Sequence, residues 1–310
     1  MLKATGFRFC IAMLFVSAAW SQANPNQVAL LKWYPVNTAA SFPVGHAPWA
    51  AAFDGSSIWV TNFPDATVTR LRASDGLLLG TYPTGIGPTA MAFDGANLWV
   101  ANSGSNSVTK IRAQDGEVVG TFSVGDTPDG IAFDGSNVWV ANGLGNTATK
   151  LQASNGQLLG TFPVGQEPAC VAFDGANIWV NNFVSGTVTK LRASDGKNLG
   201  EFHTGAGPEA IAFDGANMWI TNSDAASVTK LRASDGAVLG TFPVGLTPSG
   251  IVFDGTNMWI TNYHSSNIMK LRSDGKILGT FPTGEEPLVP CFDGANIWVP
   301  SSDDNLVSKM

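Results

Sequence analysis

Cysteine, histidine and tyrosine occur only three times each. No Cys/His pair has the spacing of a zinc site. With Cys10 near the N-terminus set aside, only Cys170 and Cys291 remain. They are too few for a disulfide framework. They form either one disulfide or two buried free thiols, and their different offsets within the repeats described below favour the thiols. Charged residues make up 13% of the chain, which suits a surface of turns and small polar groups rather than exposed helices. Basic residues are scarcer than acidic ones, 17 against 24, so the net charge is −7 and nucleic acid is excluded as a partner. The sequence has no Gly-x-Ser-x-Gly nucleophile motif and no phosphate-binding loop. Helical periodicity is lacking too, and 35 glycines and 17 prolines break the chain too often for long helices.

The one notable apolar run, Phe9 to Val16, is too short to span a bilayer. Lys3 and Arg8 precede or flank it, and Ser21-Gln22-Ala23 is a small-x-small site. Residues 1–23 therefore read as a signal peptide cleaved after Ala23, and the mature protein is expected to be secreted or periplasmic, with no membrane span. Loss of Lys3 and Arg8 takes the net charge from −7 to −9.

What is abundant is repetition. Phe-Asp-Gly followed by Trp recurs seven times: Phe53 with Trp59, Phe93 with Trp99, Phe133 with Trp139, Phe173 with Trp179, Phe213 with Trp219, Phe253 with Trp259 and Phe292 with Trp298. The step is 40 residues, and 39 once, where Leu271-Arg272-Ser273 lacks an Ala. In the fifth repeat, Pro208–Phe213, Asn217–Thr221, Ser227–Arg232 and Val238–Phe242 read as four strands, two of whose turns carry Asp-Gly. Four antiparallel strands per repeat make one blade of a β-propeller. The expected fold is all-β, a seven-bladed propeller of four-stranded antiparallel blades. Each Trp, with the Phe of the first strand, is a wedge between blades. The last repeat ends in its third strand at Leu306–Met310, while Ser41–Gly45 matches Thr241–Gly245. An N-terminal strand should therefore complete the last blade and close the ring. The propeller domain spans 39–310. Residues 24–38 form an N-terminal segment in which 28–34, aligned with the stretch from Val228, can supply an extra strand.

The Phe-Asp-Gly…Trp-Val-x-Asn…Val-Thr-Lys-Leu…Gly-Thr-Phe-Pro-Val-Gly pattern resembles the YncE/YVTN-type β-propeller repeat, in the group that includes NHL repeats and virginiamycin B lyase-like proteins. The resemblance covers 39–310. It implies an exported protein that binds ligands or partners, with lyases and lactonases among its relatives. In the lyase-like enzymes it implies His and Glu around a Mg²⁺ at the start of the innermost strand of late blades. Here Leu246-Thr247-Pro248-Ser249-Gly250 has neither, Glu285 and Glu286 stand in the seventh blade, and His264 is on another loop. A binding or interaction module is expected, and a metal-dependent lyase or lactonase at the channel mouth is the alternative.

The strands are labelled A to D from the channel outward. A–B and C–D turns share one face, the bottom; D–A and B–C loops share the top. The bottom acids are turn formers: Asp54 and its six equivalents, then Asp75, Asp115, Asp195, Asp235 and Asp274. Ten other acids map to the top, where no Lys or Arg falls, and the basic residues of strand C are expected to girdle the outer wall. An acidic channel mouth attracts a positively charged small ligand or protein. The candidate top-face residues are His46, Trp49, Asp126, Asp129, Glu167, Glu209, Tyr263, His264, Glu285 and Glu286. Asp129, Glu167 and Glu209 could supply oxygen ligands to Ca²⁺ or Mg²⁺. Phe63 and Phe183 are either exposed contact residues or blade-edge caps. Nothing in the sequence calls for an oligomer, and a monomer is expected.

Overall fold

The computed structural model describes residues 40–310. The expected signal peptide and the extra strand at 28–34 lie outside the described residues. The chain folds into seven four-stranded antiparallel sheets. Six are continuous in sequence, beginning at Pro48, Pro88, Pro128, Pro168, Pro208 and Pro248, and are called blades 1 to 6. In blade 3 the strands are A, Pro128–Phe133; B, Asn137–Asn142; C, Thr147–Gln152; and D, Leu158–Pro163. Blade 7 takes Cys291–Phe292, Ile297–Ser301 and Leu306–Lys309 from the C-terminal end and Ala40–Pro43 from the N-terminal end. The expected closing strand is therefore in place, with Phe42 paired to Val307 and its ring 5.4 Å from Trp298. No helix among the described residues is long and apolar enough to cross a membrane.

Strand alternation sorts the core. On strand B, Val138 and Val140 face back onto Trp99 of blade 2, while Trp139 faces forward onto Val171, Ile178 and Val180 of blade 4. Each buried Trp also lies against the aromatic ring of its own strand D, as Trp139 does on Phe162 at 5.3 Å. The wedge role expected for the tryptophans holds in every seam. The bottom acids do more than form turns. Asp134 Oδ1 accepts the backbone N–H groups of Ser136 and Asn137, and Oδ2 accepts the indole N–H of Trp139 at 2.9 Å. All seven blades repeat the indole bond. Burial opposes ionisation of these carboxylates, but the indole and amide donors outweigh it and hold them below the usual value.

Two expectations need correction. The basic residues of strand C do not all girdle the outer wall. Lys110, Lys150 and Lys190 are buried, because strand alternation turns them into the seam. Each ammonium lies over its blade's Trp and donates to a turn carbonyl of the next blade, as Lys110 Nζ does to Ala153 O at 2.7 Å. Two residues further along strand C, Arg112 and Arg192, and likewise Arg232 of blade 5, do point outward, paired with Asp115, Asp195 and Asp235. Strand A of blade 7 is also irregular, with only Cys291–Phe292 in a regular ladder. Pro290 stands where other blades have a ladder residue and has no N–H to give. The preceding segment pairs instead with blade 1, through Val289 N to Trp49 O and Ala51 N to Val289 O, both at 3.0 Å. The ring is thus closed at its inner edge as well as its outer one. Cys170 and Cys291 are free thiols, both raised in pKa by burial.

Candidate functional site

The top loops are built from one hydrogen-bonding scheme. The residue before each strand-A Pro has left-handed backbone: Ala47, Gly87, Thr127, Glu167, Gly207, Thr247 and Glu286. Only two are glycine, and a position before Pro disfavours helical backbone further, so the loops are strained and must be held. The preceding blade holds three of them, with Asn305, Asn106 and Asn146 Oδ1 accepting from Ala47, Thr127 and Glu167 N. The loop's own blade contributes too. Asp65 Oδ2 accepts from His46 N, and Asp304 Oδ2 from Glu285 N, both at 2.8 Å. Ser105, Ser185 and Ser265 do the same elsewhere. Two of the ten top acids, Asp65 and Asp304, therefore have a structural task that a serine performs in other blades.

The next set is the second residue of strand A, which lies against the first residue of its own B–C loop. Trp49 stacks on Phe63 with ring centroids 5.2 Å apart. Phe63 and Phe183 are half-buried, so they are edge caps more than exposed contacts. Ser223 Oγ donates to Gly207 O at 3.1 Å and lies beside the carboxylate of Glu209. In blade 3 the loop residue is Gly143, and a Cβ there would stand 2.5 Å from Asp129 Oδ2. The missing side chain leaves Asp129 its space, and no hydrogen-bond donor fills it. Burial, with Glu167 nearby, pushes the Asp129 carboxyl up to about 7. Burial also pushes Glu209 up to about 7, aided by Asp224 and opposed by Ser223. These two side chains point toward their own B–C loops, rather than directly into the channel.

The remaining candidates fall apart from them. Asp126 and Glu285 are exposed. His46 Nδ1 meets Asp65 Oδ1 at 2.9 Å on an exposed edge. His264 Nδ1 meets Thr247 Oγ1 at 2.8 Å. Tyr263 reaches the next blade, where it lies beside Glu286, and burial with that carboxylate pushes its phenol up to about 12. Ser302 Oγ also donates to Glu286 Oε2 at 3.1 Å. The candidates thus form two regions, Asp129, Glu167 and Glu209 over blades 3 to 5, and Tyr263, His264 and Glu286 over blades 6 and 7. Among the described residues, no three His, Cys, Asp or Glu side chains gather closely enough to hold a metal. Open grooves of about 550 and 440 Å³ lie on the bottom face. Their polar lining, including Asp94, Lys110 and Arg70, is already engaged in the seams, so they reflect blade packing.

Sequence reasoning missed Asn181, at the same level in strand B of blade 4. It is fully buried, and neither side-chain atom has a partner. The available signal was Asn where other repeats have Thr, Ala or Pro.

No family model matches the chain, and no curated protein matches it in sequence. Solved structures resemble it in fold. Hydrazine synthase of Kuenenia stuttgartiensis superposes with a TM-score of 0.77 at 19% identity, over 85% of this chain and 95% of that one. Virginiamycin B lyase of Staphylococcus aureus gives 0.76 at 18%, over 88% and 98%. A streptogramin B lyase gives 0.76 at 17%, over 88% and 96%. Such identities establish the seven-bladed propeller and leave function to the site.

Proposed function

We propose that the chain is an exported β-propeller binding module whose acidic top face takes up a positively charged small ligand or protein. The observation that carries this is the pair of half-buried carboxylates, Asp129 and Glu209, at the second residue of strand A in blades 3 and 5, on a face without a Lys or Arg to neutralise them. Half-buried, unneutralised acids cost stability, and a scaffold this repetitive has Thr or Ser at the same position in other blades, Thr89 and Ser249. A bound cation would supply the missing charge. Export rests on the signal-like residues 1–23, and N-terminal sequencing of the secreted product should begin at Asn24.

The test is binding of a lysine-rich peptide to the wild type and to a variant with Asp126, Asp129, Glu167 and Glu209 changed together to Asn or Gln. The variant should fold and bind at least tenfold more weakly. Equal binding would refute the acidic-face reading.

A metal-dependent lyase is the second reading. The Tyr263–Glu286–Ser302 cluster favours it, because it gathers polar groups across the seam of blades 6 and 7 in a fold shared with two lyases. It requires turnover of a lyase or lactone substrate that EDTA abolishes and Mg²⁺ restores. Turnover lost in the Glu286→Gln variant would support it.

A further inference from the structure

The repeats act as internal controls for the top loops. At the second residue of strand A and the first of the B–C loop, blade 2 holds Thr89 and Ser103, and blades 5 and 7 also open that loop with a serine, Ser223 and Ser302. The ring therefore needs no aromatic side chain at these places. Blade 1 has two, Trp49 and Phe63, stacked with centroids 5.2 Å apart and half-buried. The stack continues onto blade 2. A Cβ at Gly87 would stand 3.2 Å from Phe63 Cε2, so that loop's backbone lies against the ring, and a Cβ at Gly104 would stand 2.9 Å from Ile86 Cγ2. Pro64 and Ile86 are the exposed members. Ile86, at 66%, is the most exposed large hydrophobic side chain among the described residues. Of its equivalents in the other blades, only Leu246 is also a large hydrophobe.

On its other side the stack borders blade 7. Ala47 N donates to Asn305 Oδ1 at 2.9 Å, and Phe63 N to Ala47 O at 3.3 Å. The B–C loop of blade 7, the D–A loop of blade 1 and the stack are therefore in direct contact. Blade 7 carries four of the top acids. Asp304 and Glu286 are engaged, by Glu285 N and Ser302 Oγ. Glu285 and Asp303 are exposed, on a face without Lys or Arg. The one base beside the stack, His46, is held by Asp65. One surface thus runs over three adjacent blades, from two open carboxylates to an apolar patch with an aromatic floor. Facing sheets pack about 10 Å apart, so two seams make it about 20 Å long, the reach of about six extended residues.

We infer that the top of blades 7, 1 and 2 docks an extended segment of a partner protein in which basic residues adjoin apolar ones. The inference rests on the acidic-face reading and narrows it to a protein partner and to this arc. Charge complementarity with Glu285 and Asp303 selects the basic residues and sets the salt dependence. Ile86 and Pro64 leave water only under an apolar group, and the Trp49–Phe63 floor suits an extended chain, as aromatic-lined grooves do. A simple amine or a metal ion reaches one end of the surface and leaves the apolar end wet. A second copy presenting the same face is repelled, since it brings the same acids and no Lys or Arg.

The experiment is calorimetric titration of the mature protein with three capped octapeptides. The first has Pro-Leu-Pro-Leu between two Lys-Lys pairs. The second replaces the centre by four serines, and the third replaces the lysines by glutamates. Ile86→Gln imports the residue of blade 4, Gln166, and Trp49→Thr with Phe63→Ser installs the pair that blade 2 already holds. Ile86 is exposed, so its variant should fold even if the double variant does not. The first peptide should bind about tenfold more tightly than the second, the worth of burying one leucine. Ile86→Gln, and the double variant, should remove that advantage and leave the serine peptide unchanged. Glu285→Gln with Asp303→Asn should weaken both lysine peptides, and the glutamate peptide should not bind. If the apolar centre gives no advantage, or one that survives both apolar variants, the inference fails. Equal binding of the glutamate peptide would also overturn it. If those results come while the lysine-rich peptide still binds through Asp126, Asp129, Glu167 and Glu209, the acidic-face reading stands alone. If no lysine peptide binds, both fail.

Discussion

At the scale of single residues, the same side-chain type has opposite electrostatic fates on the two faces. The seven Phe-Asp-Gly carboxylates are fully served by donors and held below their ordinary value, as Asp134 is. Their contribution is present above the unfolded carboxylate range and is lost as pH falls through the folded value. Asp134→Ala should cost about 2–4 kcal/mol, since it strands an indole N–H and two amides, and denaturant melts at pH 7 check this. Asp129 and Glu209 run the other way. Their folded values, about 7, lie above the unfolded ones, so the fold binds extra protons between about pH 4 and 7 and loses stability as pH rises through that window. Asp129→Asn should therefore stabilise the protein at pH 8, with a gain that shrinks toward pH 4. Thermal melts of variant and wild type across this range would show a constant difference if the carboxylate were well solvated.

At the scale of elements, the strands and turns were legible because each repeat states them locally. Asp-Gly marks the turns, alternation marks strand C, and seven copies confirm one another. The seams were less legible, because they join residues of different repeats. Lys110 looked like a surface residue, and its carbonyl partner lies 43 residues on. Asp129 and Glu209 were readable as departures from the repeat, whereas Asn181 gains meaning only once its burial and missing partners are known. Lys150→Met tests the seam. It should cost about 1–3 kcal/mol by removing a buried cation–π contact and two carbonyl bonds. Lys270→Met should cost less, because blade 7 takes strand D from Ala40–Pro43 and has no C–D turn to receive the ammonium. Equal costs would show that the two carbonyl bonds contribute no more than the ion pair of Lys270 with Asp254 at 3.4 Å.

At the scale of the whole molecule, the ring is held by repetition and closed by a single strand. Phe42→Ala removes the ring that packs on Trp298 and should cost about 3–5 kcal/mol. Because each blade leans on the next, the loss should appear as a lower midpoint of one cooperative transition. Two separated transitions would mean that blade 7 unfolds on its own. The same rigid ring lets a few unserved polar groups persist on one arc, since the other seams supply the stability they cost. The most direct test of that claim is an NMR titration of the Asp129 and Glu209 carboxyl carbons, alone and with excess lysine-rich peptide. The account requires midpoints near 7 in the free protein and a clear fall when the peptide's ammonium groups are bound. Ordinary carboxylate midpoints, unmoved by the ligand, would contradict it.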